Sequence, residues 1–349
     1  LMRDYAMYSE HENIFLFVWG GGSIADEMRN KGLRTILLDK KRDGTWTVLK
    51  QILEIADREQ IDAVVSHHSA PLLKIALLCV KATGRRAKTI AYAHANAFDI
   101  CEGKRKKSLW LRKMIHRTAM QQVDGVVAIS ESVKNSLRNY LGVDRSIQVI
   151  YNGIPVQRFA GAHSEMGHCL TFIYVGRLTE EKGVHTTIRA LARIGNTVPF
   201  VFNIIGDGTY RPKLEELMKE NCLEDRIRFW GTQNQVADFL AGADVFVHMP
   251  QWEEGFGITI LEAMAAGCIC VCSANGAIPE ILTDGETGLL VEKSSETALA
   301  AKITEVYHLR GSEQLQRIRE KAKLRAAQFS VETFSEKLDG FINTICCGM

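Results

Sequence analysis

Residues Ala243–Cys272 read ADVFVHMPQWEEGFGITILEAMAAGCICVC. The apolar run ADVFVHM predicts a buried strand, ITILEAMAA a helix, and CICVC a further strand, with a polar, glycine-bearing loop after the first. The alternation extends outward. Toward the C-terminus TGLLVE follows, and toward the N-terminus lie RIRFWG, VPFVFNIIG and CLTFIYVG, each separated by a helical pattern. Ahead of CLTFIYVG, Asn152-Gly153, Pro155 and an aperiodic polar stretch predict a linker over 156–168. Before it the rhythm repeats in IFLFVW, TILLD, DAVVS, KTIAYAH and DGVVAIS. Two such sets predict an α/β protein of two Rossmann-like, doubly wound domains facing a cleft, over 1–155 and 169–330. A helix over 331–349 can cross back to the first domain.

A chain of 349 residues is long enough for two ordinary domains. It is 46% hydrophobic and 24% charged, as globular proteins are, and a net charge of +2 gives no global reason to expect nucleic acid. No apolar run is long enough to span a bilayer. The 9 cysteines, with no secretory signal, point to a reducing cytoplasm. Cys268, Cys270 and Cys272 alternate, which in a strand puts their thiols on one face; they lack the partners of a metal site and read as packing. Leu1–Tyr8 reads as the tail of a helix and Asn13–Trp19 as a strand, so the pattern predicts an element upstream of Leu1, and any targeting segment falls outside this sequence.

The loop and helix over 251–267 carry the chemistry. Gly255 and Gly257 let backbone approach a ligand, and the helix start presents unpaired N–H groups to an anion such as a phosphate. Glu254 on the loop and Glu262 in the helix would repel a phosphate, but each can accept two hydrogen bonds from a vicinal diol of a ribose or a hexose. The bland alternative is a cap and an exposed helix charge. In VGRLTEEKG, Arg177 follows a strand end and Lys182 stands at the next helix start, positions from which cations neutralise a diphosphate.

With these residues the chain resembles glycosyltransferase family 4, retaining enzymes of the GT-B architecture. The resemblance rests on VGRLTEEKGV, IIGDGTYRPKLEEL, IRFWGTQ, EGFGITILEAMAAGCICVCSANGAIPEIL and DGETGLLV, with the family's paired glutamates at Glu254 and Glu262. It implies that Glu254 holds the transferred sugar and Glu262 the ribose. Backbone amides of Gly255, Phe256, Gly257, Ile258 and Thr259 would cradle sugar and phosphates, Arg177 and Lys182 would bind the diphosphate, and Gly206, Asp207 and Gly231 would line the base. His94, in YAHAN at a strand end, matches the family histidine that faces the donor sugar; a lone histidine is otherwise a core or surface residue. The family's first strand and its Gly-rich loop are not matched, since Gly20–Gly22 come after the next strand.

The expected activity is retaining hexosyl transfer from a nucleotide-diphosphate sugar to a glycan or lipid-linked acceptor, in polysaccharide or glycolipid synthesis. No Asp-x-Asp occurs, so no divalent metal or other cofactor is expected. KRKKSLWLRKMIHR, Lys104 to Arg117, holds seven bases and no acid among apolar residues; it reads either as a contact for an anionic membrane surface, peripheral at the inner face, or as a solvated helix with its apolar residues turned to the core. Rival readings are a GT-B sugar-nucleotide epimerase, disfavoured by EGFGITILEAMAAG, and a non-catalytic nucleotide-sugar-binding protein. A nicotinamide dehydrogenase lacks its fingerprint, because GGGSIA has Ala25 where the last glycine belongs.

Overall fold

A computed structural model describes residues 1–67, 70–98, 106–161, 166–195 and 197–348, with the backbone alone at 106–108. The chain divides into two compact units, Leu1–Gly153 together with Val331–Met349, and Ile154–Ser330. Residues 162–165 of the expected linker lie outside the described residues. Among the described residues every paired strand is parallel.

The second unit holds six strands: β7 (Leu170–Val175), β8 (Phe200–Ile205), β9 (Ile227–Gly231), β10 (Val245–His248), β11 (Ile269–Ser273) and β12 (Leu289–Val291). Their order is β12-β11-β10-β7-β8-β9. The chain starts in the middle, winds to one edge, then returns to the other side of β7. The direction reverses between β7 and β10, and at such a switch point the loops leaving the carboxyl ends diverge and leave a crevice for a ligand. Phe172, Phe202, Val245, Val247, Ile269 and Val271 are buried between the sheet and its helices. All three thiols of CICVC are buried; the Cys268 Sγ donates to the carbonyls of Leu240 at 3.3 Å and Ala243 at 3.4 Å, and burial pushes that thiol up to about 12.

The first unit contains a pair, β1 (Phe15–Phe17) with β2 (Thr35–Leu37), and a four-stranded sheet of order β3-β4-β5-β6. These four are Ala63–Ser66, Lys88–Ala93, Gly125–Ala128 and Gln148–Val149. The sequence pattern predicts five strands here; β6, only two residues long and inside a stretch read as turn and linker, is too short for periodicity to reveal. The helix Val331–Cys347 packs on this unit. There the buried Asp339 accepts from the Tyr5 hydroxyl at 2.5 Å, the Ser9 hydroxyl at 3.0 Å and the Glu10 amide at 2.9 Å.

Both units staple adjacent strands by one device. Asp124, just before β5, accepts the Thr89 amide of β4 at 2.8 Å, and Asp244, just before β10, accepts the Thr171 amide of β7 at 2.8 Å. Each carboxylate satisfies a strand-end N–H that the ladder leaves open.

In the helix Lys106–Gln122 the apolar residues divide between the two readings, with Leu109 and Ile115 half-buried. Trp110 is 68% exposed, Leu111 and Met114 are also exposed, and it is His116, Ala119 and Met120 that are buried. Lys104 and Arg105 lie outside the described residues. No helix among the described residues is long and apolar enough to cross a membrane.

Candidate functional site

The sequence-named residues of the second unit lie at the ends of β7, β8, β9 and β10 and in the helix after β10. Near the end of β7, Tyr174 is buried and its hydroxyl donates to the carbonyl of Arg177 at 3.0 Å, fixing the turn from which the Arg177 side chain emerges. Arg177 is exposed and enters no ion pair among the described residues. A short 3-10 turn, Glu180–Lys182, then delivers Lys182, and Gly183 follows in a left-handed conformation at φ +68°. A Cβ on Gly183 would lie 1.8 Å from the carbonyl oxygen of Met249, so only glycine lets this turn press against the exit of β10.

That contact sets Lys182 beside Glu254. The Lys182 Nζ donates to Glu254 Oε2 at 2.7 Å, and the His248 Nε2 lies 3.0 Å from the same oxygen. His248 is the last residue of β10 and is nearly buried, with its ring stacked near Tyr174 at 6.0 Å between centroids. Burial alone would push the Glu254 carboxyl up; the hydrogen bond and charge of His248, then those of Lys182, outweigh it and hold the group well below the ordinary carboxylate range. The Glu254 loop is also gripped from behind. Asn275 Nδ2 donates to the Trp252 carbonyl at 2.7 Å, the Ala277 amide donates to the Glu254 carbonyl at 2.8 Å, and a Cβ on Gly276 (φ +56°) would come within 2.4 Å of that carbonyl oxygen.

Beyond the loop, Gly257 precedes the helix Ile258–Ala266, which starts without a side-chain cap. Its first amides, those of Ile258 and Thr259, therefore lack a side-chain cap and suit an anion. The ring of Phe256 is buried against Phe329, centroids 5.9 Å apart, so Phe256 can offer a ligand only its backbone. Glu262, a turn along this helix, makes no hydrogen bond or ion pair among the described residues. Burial raises its carboxyl to about 7 against a smaller opposing effect of Arg158. Gly206 and Asp207 leave β8, where the Leu178 amide donates to the Asp207 carbonyl at 2.9 Å, and the Gly206 amide donates to Gly231 at 2.8 Å. Asp207 is exposed and paired with Arg211 at 3.1 Å.

In the first unit His94 directly follows β4, half-buried, its ring stacked on Tyr92 at 4.5 Å with 13° between planes. Two residues near these sites escape sequence reading. His248 sits inside an apolar strand pattern, and the signal that could have found it is its place six residues ahead of Glu254, at a strand end. His67 lies 3.0 Å from His94 through Nδ1 and Nε2, across a ladder that joins β3 to β4.

Comparison with known proteins fits this architecture. A family model described as Glycosyltransferase Family 4 matches residues 8–158, and one described as Glycosyl transferases group 1 matches residues 163–325. The chain belongs to this glycosyltransferase family. Among curated relatives, the N-acetyl-alpha-D-glucosaminyl L-malate synthase of Bacillus anthracis is 29% identical over 258 residues, 72% of this chain and 66% of that protein. The glycogen synthase of Mycobacterium tuberculosis is 33% identical over 193 residues, 54% of this chain and 46% of its own. The chain thus spans less than two thirds of the length of these curated relatives. Among solved structures, a glycosyltransferase from Rickettsia africae superposes with a TM-score of 0.83 at 20% identity, covering 98% of this chain and 92% of that one. Anabaena HepE in complex with UDP-glucose gives 0.83 at 19% identity, covering 98% and 94%. At such identities the likeness establishes the GT-B fold.

Proposed function

We propose that this chain is a retaining glycosyltransferase that moves a hexosyl group from a nucleotide-diphosphate sugar to a glycan or lipid-linked acceptor. The observation that carries the reading is the meeting of Glu254 and Lys182 at the switch point of the second sheet, beside an uncapped helix start and the exposed Arg177. A departing diphosphate needs positive charge and N–H donors in place before the bond breaks, and these groups supply both. Glu254 is ionised and anchored through Oε2, which suits it to accept sugar hydroxyls through its other oxygen. Glu262 takes the ribose, and His94 acts on the transferred sugar, as the resemblance implies. Arg177, Lys182 and the helix start make a divalent metal dispensable in this reading. The complex of HepE with UDP-glucose favours a UDP-sugar as the donor.

A panel of UDP-, GDP- and ADP-sugars scored by thermal shift tests the donor site. A ligand at a hundred times its Kd stabilises by about 2.7 kcal/mol, so one class should raise the midpoint by several degrees. No shift with any of them overturns the reading. Product analysis separates transfer from epimerisation, which would yield a changed sugar without acceptor. Turnover that persists in excess chelator is expected; complete loss restored by Mg2+ would sink the metal-free mechanism.

Cytoplasmic placement at the inner membrane face belongs to the same proposal and is favoured by the exposed Trp110, Leu111 and Met114 on a basic helix. Co-sedimentation with phosphatidylserine vesicles should fall when Trp110 and Leu111 are changed to serine. Binding that does not change removes that helix as the contact.

A further inference from the structure

We propose that His67 is a positioning residue for His94, its Nδ1 hydrogen-bonded to the Nε2 of His94 so that the ring is held in one orientation with that nitrogen committed. This rests on the reading of His94 as a site residue. It arises from the ladder: Ser66 at the end of β3 is in register with Ala91 of β4, so the next residues out, His67 and Tyr92, sit side by side and His94 lies just beyond. The His67 and Tyr92 rings stack at 4.9 Å and the Tyr92 and His94 rings at 4.5 Å. Tyr92 is itself anchored, its hydroxyl donating to the Ile150 carbonyl at 3.0 Å. The three rings form a block at the carboxyl ends of β3 and β4.

Two imidazoles 3.0 Å apart share a single proton, one nitrogen donating and the other accepting. A doubly protonated pair would set two cations in contact, and a third positive group is close by. Lys74, on the helix Pro71–Ala82, is 1% exposed, has its Nζ 3.5 Å from the Ser66 hydroxyl, and pairs with no acid among the described residues. Burial, then His94, then Lys74 push the His67 imidazole well below its ordinary value, which keeps it neutral and able to hold its neighbour. A histidine held in one tautomer presents the same group to a ligand in every turnover.

The test uses the full chain. His67→Phe keeps a ring against Tyr92 and deletes the nitrogen, whereas His67→Asn puts amide atoms near the position of Nδ1. Long-range 1H–15N spectra at one pH read the ring nitrogens of His94. We expect the Nε2 resonance of His94 to move in His67→Phe and to return toward the wild-type position in His67→Asn. With UDP-glucose as the probe, UDP release should fall about 10- to 100-fold in kcat with KM unchanged in His67→Phe, and recover in part in His67→Asn. Unchanged His94 ring resonances in folded His67→Phe overturn the inference whatever the activity. Should His67→Phe fail to fold, an unshifted His94 resonance in folded His67→Leu overturns it equally. A shifted resonance together with full turnover in His94→Ala leaves the coupling standing and overturns the site reading of His94 instead.

Discussion

The exits of β10 and β4 place a candidate group at the carboxyl end of a parallel strand, but they hold it by opposite means. Glu254 is an ionised carboxylate, mostly buried, and two partners converge on one of its oxygens, Lys182 at 2.7 Å and His248 at 3.0 Å. Among the contacts of His94 are an imidazole hydrogen bond and a stacked phenol ring. The difference follows from the cost of burial. A charge taken out of water must be paired and hydrogen-bonded or it shifts to its neutral form, whereas an imidazole needs only one partner and van der Waals contact. The second unit's site is therefore exposed to loss of charge, the first unit's to loss of geometry.

The sharpest way to break this contrast is Lys182→Ala. Removing one charged partner from a preorganised site costs about 2.7–4 kcal/mol in the barrier, so donor turnover should fall about 10²- to 10³-fold, with Lys182→Arg keeping part of it. Steady-state rates within threefold of the unmodified enzyme would show that charge is not what the β10 exit supplies. Next in size is Gly276→Ala. The left-handed backbone and a 2.4 Å approach to the Glu254 carbonyl make any side chain there costly, about 2–3 kcal/mol in a urea titration. A midpoint that does not move would mean the loop holding Glu254 yields freely.

Glu262 extends the comparison to pH. Its carboxyl, raised by burial from 4.5 to about 7, binds its proton more tightly folded than unfolded. That stabilisation is complete below pH 4.5 and is lost as the pH rises to about 7, because the folded state must then ionise a group that burial disfavours. Glu262→Gln should accordingly leave the thermal midpoint near its wild-type value at pH 4.5 and stabilise at pH 8, on the order of 2 kcal/mol after allowing for partial solvent access. An equal effect at both pH values would contradict the burial reading. Smallest is Tyr174→Phe, which deletes one hydrogen bond to the Arg177 carbonyl and should cost about 1 kcal/mol in chemical denaturation.

Much of this was open to reading in the residues themselves. Apolar runs such as LTFIYV and VFVH are dictated by burial on both sheet faces, and the glutamate spacing and the cations of VGRLTEEKG are local features of the chain. They named Glu254, Glu262, Arg177 and Lys182 one at a time. What they did not give is that Lys182 and His248 meet on a single oxygen of Glu254, because those residues are 72 and 6 positions away from it and meet only through strand order. His67 and His94, 27 residues apart, are joined in the same way by a ladder register. The basic helix was open to two readings, since its apolar residues fit either a core face or a surface. Packing against the helices Pro71–Ala82 and Glu131–Leu141 accompanies the burial of His116, Ala119 and Met120 and leaves Trp110 outside. By itself the sequence determined the alternation of strands and helices and the residue types at strand ends, because propensity and periodicity act over neighbouring positions. Only the tertiary structure decided which groups share a proton or a charge, because hydrogen bonds and ion pairs depend on distance in space and not on separation along the chain.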